Sequence, residues 1–245
     1  MSLANVALDR LEGDQAAHSG LDNLDVEQLS DPKRRHRGID ELVARFLLRY
    51  PGGFTGDTYF KEERAYKQKG VKLAQELLGR EALADLSDAG DSEEIIHRAK
   101  TVLQATNLVF PNEKMALNDA LKRPEHRQAF ADALVYHLHS DESHKVRLER
   151  FVRCLEDLEA AKWTTATYFW HLYVPEEHMF MKPRYAQDAA AVCRWNLRYD
   201  PQPNWRTYEA LQGFANYLRA LLAERGHPPL DMLDIHSFVW QIGQE

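Results

Sequence analysis

The chain has 245 residues, of which 44% are hydrophobic and 28% are charged, as in ordinary globular proteins. The formal net charge of −7 disfavours nonspecific binding to DNA or anionic lipid, although it leaves room for a local basic patch. These values rule out a mostly disordered chain and argue against binding of nucleic acid through bulk charge.

The cysteine content and the lack of long apolar segments bear on the cellular compartment of the protein. Cys154 and Cys193 are the two cysteines, and neither belongs to a CxxC motif of the kind that binds zinc or exchanges disulfides. No stretch approaches the ~20 apolar residues that span a bilayer, and the acidic N-terminal region lacks the apolar core of a signal peptide. We therefore predict a cytoplasmic protein with no membrane segment.

Residues 1–38 are weakly patterned and are predicted to form a flexible N-terminal arm. Their basic run Lys33–Arg37 has two interpretations, a phosphate contact or a solvated segment that leads into the first helix. The remaining residues, 39–245, contain no internal repeat and no clean linker, which predicts one helical domain.

Apolar residues recur every three or four positions along most of that domain, which predicts an all-α or nearly all-α fold. Gly79 is predicted to cap the C-terminus of the second helix. The predicted helices cover residues 39–50, 57–78, 92–103, 112–122, 124–139, 142–161, 184–196, 205–225 and 231–242. The side chains predicted to be buried are Phe46, Leu77, Ile96, Leu134, Phe151, Leu155, Phe214, Leu218 and Phe238.

One segment departs from helical spacing. Between Trp163 and Pro183, threonines and aromatic residues are concentrated, as in Thr164, Thr165 and Thr167. Because β-branched and aromatic residues are enriched in strands, a short β-like excursion is one possibility here, and a helix is the other.

A histidine-rich segment raises the possibility of a metal site. His137, His139 and Asp141 resemble the HxHxD start of the metallo-β-lactamase signature, but Glu142 stands where that signature has histidine. On a helix, His137 and His139 point in different directions, so a polar helix end is the favoured interpretation. A metal-dependent hydrolase that uses His137, His139, Asp141 and His144 is the alternative.

The C-terminal third contains all five tryptophans, together with cations close in sequence to aromatic residues. Such pairs can stack on bases and hold phosphates, although large aromatic residues at helical spacing also fill cores. If the segment is a binding surface, its cations line one concave region; if it is core, they pair with acids such as Asp200 or Asp234. The predicted binding residues are Phe180, Lys182, Arg184, Trp205, Arg206 and Tyr208.

Four strings in this domain are distinctive. They are Tyr59–Lys67 (YFKEERAYK), His178–Pro183 (HMFMKP), Pro203–Tyr208 (PNWRTY) and Asp231–Trp240 (DMLDIHSFVW). The region that contains them, residues 39–243, resembles a family of uncharacterised bacterial helical proteins and domains associated with restriction-type DNA defence systems. The resemblance implies such a setting and brings no catalytic residue.

The chain lacks GxxxxGK[ST], GxGxxG, GxSxG and HExxH strings, so the usual supports for nucleotide hydrolysis, dinucleotide, α/β-hydrolase and zincin chemistry are missing. We therefore predict a noncatalytic binding or adaptor module. Its partner would be nucleic acid or a protein of a nucleic-acid-processing complex. No cofactor and no assigned metal ligand are predicted.

Overall fold

The computed structural model describes residues 38–244, and the predicted all-α fold is confirmed over that range. The predicted arm, including Lys33–Arg37, lies outside the described residues except for Gly38. The second helix, α2, is continuous and contains a π-helical segment, Phe60–Arg64, between Asp57–Tyr59 and Ala65–Leu77. The other helices are α1 (Ile39–Arg49), α3 (Arg80–Asp88), α4 (Ser92–Gln104), α5 (Pro111–Ala120), α6 (Pro124–His139), α7 (His144–Asp157), α8 (Trp163–Tyr173), α9 (Pro183–Val192), α10 (Trp205–Glu224) and α11 (Met232–Ile242).

Helix α8 occupies the first part of the segment in which the threonines suggested a β-like excursion. Its residues from Trp163 to Leu172 are all buried, as expected of a helix that is apolar on every face. Thr167 Oγ1 donates to the carbonyl of Trp163 (2.8 Å), and Tyr168 Oη donates to the carbonyl of Val102 (2.8 Å). Of the two possibilities, the helix is the one found, because packing satisfies these polar groups within a central helix and overrides local β-propensity.

The amphipathic stripes of the sequence form the core. Eight of the nine side chains predicted to be buried are buried, while Leu77 is partly buried and packs against the others. A stripe of large apolar residues needs a facing helix, and α8 meets α2, α6 and α7 while α11 meets α1, α9 and α10. Helices α8 and α11 therefore cover the apolar stripes of the helices around them.

The connection after α2 differs from its prediction. Gly79 has φ −60° and is the N-cap of α3, whereas Leu78 is the C-cap of α2, so the predicted role of Gly79 as a C-terminal cap was wrong. A Cβ at Gly79 would lie 2.8 Å from the carbonyl oxygen of Gln75, which explains the glycine as a close approach of backbone. The sequence prediction also missed α3, whose nine residues bury one side chain, that of Leu83.

No helix among residues 38–244 is long and apolar enough to cross a membrane.

Candidate functional site

Charged residues of α2 and α11 meet inside the protein. Arg64 ends the π-helical segment, and Asp231 is the N-cap of α11, accepting hydrogen bonds from the N–H groups of Leu233 (3.0 Å) and Asp234 (3.4 Å). Arg64 donates from Nη1 and Nη2 to the two carboxylate oxygens of Asp231 (3.1 and 2.6 Å) and from Nη1 to Asp234. This bidentate geometry joins the two helices through the guanidinium plane.

A second set of bonds completes the cluster. Tyr59 Oη donates to Asp234 Oδ1 (2.5 Å), and Lys67 Nζ donates to Glu63 Oε2 (2.9 Å) and Ser237 Oγ (2.7 Å). Ser237 Oγ in turn donates to the carbonyl of Leu233. We call these residues, with Arg64 and Asp231, the α2–α11 ionic network; its members are Tyr59, Glu63, Arg64, Lys67, Asp231, Asp234 and Ser237.

The electrostatics of the α2–α11 ionic network suit a structural role. Burial acts to lower the pKa of Arg64, but the hydrogen bonds and charges of Asp231 and Asp234 outweigh it and raise that pKa. Burial lowers the pKa of the Lys67 ammonium, and Glu63 partly offsets the shift. Because each cation has a carboxylate partner, the network leaves no cation of its own for an anionic ligand.

Two buried histidines lie next to this network. The rings of His171 and His236 are 5.6 Å apart, and His171 Nδ1 lies 2.8 Å from the carbonyl oxygen of His178. His171 Nε2 and His236 Nδ1 are buried without a hydrogen-bond partner. Burial lowers the pKa of His171 to about 4 and that of His236 well below its usual value, with the Lys67 charge acting in the same direction. Both imidazoles are therefore neutral at neutral pH.

A third cation, Lys182, has aromatic neighbours. Its Nζ lies 4.1 Å from the ring centroid of Phe110, 4.7 Å from that of Trp240 and 5.9 Å from that of Tyr185. The rings of Tyr185 and Trp240 contact each other, with centroids 3.7 Å apart. We call Phe110, Lys182, Tyr185 and Trp240 the Lys182 aromatic box. It joins the N-terminal side of α5 to α9 and α11.

The predicted binding residues occupy different environments. Phe180 and Tyr208 are buried, whereas Trp205 is partly buried and Arg206 is exposed at the start of α10. Trp205 contacts Tyr208 and donates from Nε1 to Glu209 (3.2 Å). The fully buried rings thus match the core interpretation of this segment.

Lys182 and Arg184 both lie near the ring of Tyr185. The guanidinium carbon of Arg184 is 5.9 Å from the Tyr185 ring, and the Arg184 side chain is 83% exposed. Sequence reasoning missed Phe110 and Trp240 as partners of Lys182. Trp240 stands in one of the distinctive strings, but nothing in the local sequence marks Phe110, whose contact with Lys182 is tertiary.

The histidine-rich segment does not form the metal cluster of the alternative interpretation. His137 is fully buried, with its ring between those of Phe151 (4.4 Å) and Trp170 (4.0 Å). His139 Nε2 lies 2.8 Å from the carbonyl oxygen of Leu78.

Asp141 and His144, the other two residues of that alternative cluster, have different partners. Asp141, whose side chain is 95% exposed, forms an ion pair with Arg80 (3.3 Å). Among the described residues, His137, His139 and Asp141 belong to no group of three or more donors close enough to share a metal ion, whereas His144 does. The structure thus does not bring the four residues together.

No family model, no curated protein and no solved structure matches the chain.

Proposed function

We propose that this protein is a noncatalytic binding module that holds a short single-stranded nucleic acid at the Lys182 aromatic box. The observation that carries the proposal is a lysine surrounded by aromatic rings, with no ion-pair partner among the residues that the structure describes. Burial lowers the pKa of this ammonium, and the Glu113 carboxylate partly offsets the shift. A phosphate placed beside Lys182 would supply the missing counter-charge.

The surroundings of Lys182 suit a ligand with both charge and flat rings. Phe110 is 47% exposed, so part of it is accessible to a stacking base. Arg184 lies beside Tyr185 with its side chain 83% exposed, and it forms an exposed ion pair with Asp188 (3.9 Å). Such surface pairs are weak, so a phosphate would compete with Asp188 for this second cation. Stacking on aromatic rings beside cations is how proteins bind single strands without reading their sequence.

The net charge of −7 limits the strength of this binding. Two phosphate contacts, at Lys182 and Arg184, predict a slope of about −1.4 for the logarithm of the association constant against that of salt concentration, from ~0.7 per contact. The contribution from stacking would persist at high salt. Binding would therefore be weak and modestly salt-dependent.

The experiment measures fluorescence anisotropy of a labelled single-stranded oligonucleotide at several salt concentrations. The double variant Lys182→Met, Arg184→Ala should weaken binding and bring the salt slope close to zero, because both phosphate contacts are lost. Methionine is chosen at position 182 because it keeps most of the apolar stem of lysine. The matched control is Lys145→Ala, Arg153→Ala, which removes two exposed cations of α7. Equal affinity and slope in the double variant and the control would exclude this site.

Arg206 and Trp205 provide a separate comparison. The sequence prediction places them in the same surface as Lys182, and Arg206→Ala tests that extension. A weaker interaction would extend the surface to the start of α10, and an unchanged one would restrict it to the Lys182 aromatic box.

The cellular setting is also part of the proposal. We infer that the protein works in a bacterial nucleic-acid-processing or defence complex, which the resemblance of the four strings supports. We also infer that it is cytoplasmic, which the cysteine content supports. Both cysteines are free thiols, and burial raises the pKa of Cys154 to about 11 and that of Cys193 to about 12. Such thiols are poor nucleophiles at neutral pH, which fits a protein without thiol chemistry.

A further inference from the structure

His144 does have potential metal-binding neighbours, and they come from a different part of the chain. His144 is the first residue of α7, whereas Glu177 and His178 lie in the turn after α8. One ligand atom of each residue lies within 4.8 Å of the others. Tertiary packing thus places two imidazoles and a carboxylate together.

His178 is held rigidly in this cluster. It is 2% exposed, and its ring stacks on that of Trp170 with centroids 4.2 Å apart and an interplanar angle of 8°. Its Nδ1 lies 3.2 Å from Tyr208 Oη. In the tautomer whose Nδ1–H donates to Tyr208, the lone pair of Nε2 is free for a metal ion, and such a second contact is usual for metal-binding histidines.

The turn that carries Glu177 and His178 is anchored by Gln212 of α10. Gln212 Nε2 donates to the carbonyl of Glu177 (2.5 Å), and Gln212 Oε1 accepts from the N–H of Met179 (2.7 Å). The backbone on both sides of His178 is therefore tied to one side chain. His178, held in this way, loses little conformational freedom when a ligand binds.

The two other donors are on the surface and can adjust. His144 and Glu177 are exposed, and the His144 ring meets the rings of Trp170 and His178 edge to face. A tetrahedral ion with bonds of about 2.1 Å sets its ligand atoms roughly 3.4 Å apart. Rotation of the exposed side chains toward His178 would reach that spacing.

Charge near the cluster has both signs. Glu177 carries a negative charge, whereas Arg147 donates to the carbonyls of His137 and Leu138 and lies over the Trp170 ring, 5.2 Å from its centroid. The positive charge of Arg147 opposes any bound cation, and the Glu177 carboxylate acts against that repulsion. Imidazole nitrogens favour zinc over magnesium, because Mg²⁺ prefers oxygen ligands.

We propose that His144, Glu177 and His178 bind one divalent transition-metal ion of the zinc type, with its remaining coordination positions open to water. The site shares one residue, His144, with the four-residue cluster of the alternative hydrolase interpretation, and it departs from the prediction that the chain has no metal ligand. It is independent of nucleic-acid binding at the Lys182 aromatic box.

The test is calorimetric titration of Zn²⁺ into the full chain, purified without an affinity tag and freed of metal with a chelator. We expect one equivalent to bind and Mg²⁺ to give no comparable signal. His144→Ala and Glu177→Gln, both at exposed positions, should each weaken Zn²⁺ binding at least about tenfold. The matched controls His97→Ala and Glu176→Gln, also exposed, should bind like the unchanged protein.

A third variant at the site tests its buried side. Tyr208→Phe keeps the ring in place but removes the hydroxyl that contacts His178 Nδ1, so binding should weaken about tenfold. Tetrahedral Co²⁺ absorption should appear in the unchanged protein and be lost in His144→Ala. Absence of one-to-one Zn²⁺ binding, or equal affinity in His144→Ala, Glu177→Gln and the controls, would overturn the proposal.

Discussion

Helix α11 contacts buried cations of two kinds. Arg64 and Lys67 of the α2–α11 ionic network are neutralised by carboxylates, whereas Lys182, which is 9% exposed, is surrounded by the rings of its aromatic box. The paired charges hold helices together, because separating them would leave ions buried without partners. Lys182 lacks such a partner among the described residues, so an external anion could supply one. Burial alone therefore does not distinguish a structural cation from a binding cation, and the chemistry of the neighbours does.

Acid should destabilise the whole fold through its buried histidines, two of which, His171 and His236, lie next to the α2–α11 ionic network. In the folded protein burial lowers the pKa of His171 to about 4 and that of His178 to about 3, and it lowers those of His137 and His236 well below the usual value. The unfolded chain protonates histidine near pH 6.5, so between these pH values the unfolded state binds more protons and becomes more favourable.

Four such histidines should lower the free energy of unfolding by about 5 kcal/mol between pH 7 and pH 5.5, at ~1.4 kcal/mol per pH unit and proton. The measurement is circular dichroism at 222 nm during acid titration. His171→Leu should move the transition to lower pH, whereas the exposed His97→Ala should leave it unchanged. A protein that keeps its full stability down to pH 4 would contradict this expectation.

Removing the central guanidinium should have the next largest effect. Arg64→Met leaves the carboxylates of Asp231 and Asp234 buried without their cation, so we expect a loss of about 3–5 kcal/mol in the free energy of unfolding. Arg49→Ala is the control, since it breaks an exposed ion pair with Glu62 (2.5 Å) and should cost less than about 1 kcal/mol. Urea unfolding at pH 7.5 measures both, and similar costs would remove the distinction between buried and exposed pairs.

The smallest effect on stability is expected at Lys182. Lys182→Met removes the cation without leaving a carboxylate unpaired, and methionine sulfur also packs well against aromatic rings. We expect a change within about 1 kcal/mol in the free energy of unfolding, measured in urea as for Arg64→Met, together with weaker oligonucleotide binding than that of the unchanged protein. A loss as large as that of Arg64→Met would place Lys182 among the structural cations and contradict the comparison.

The helices with strong periodicity were predictable because each stripe of apolar residues needs burial. The stripe of α10 is buried through Phe214 and Leu218, and that of α1 through Phe46. Local signals were less reliable at boundaries, since Gly79, predicted to end α2, is the N-cap of α3. The short helix α3 buries one side chain and therefore left little periodic signal.

The candidate sites were predictable only in part. Lys182 and Arg184 were selected from a local association of cations with aromatic residues, but Phe110 is separated from Lys182 by 72 positions in the sequence. His144 was selected with neighbours in sequence that the fold directs elsewhere, while Glu177 was not selected at all. A site built from distant segments leaves no spacing that a linear pattern can show.

The sequence by itself determined that this protein is helical and which faces of most helices are buried, because helical periodicity and apolar burial are properties of short segments. Tertiary structure alone decided which charged residues neutralise one another and which remain available. Arg64 and Lys182 are both cations near aromatic residues in the sequence, and only their neighbours in the fold differ. Electrostatic and coordination contacts act over a few ångströms in space, so their partners are set by how the helices pack and not by their separation along the chain.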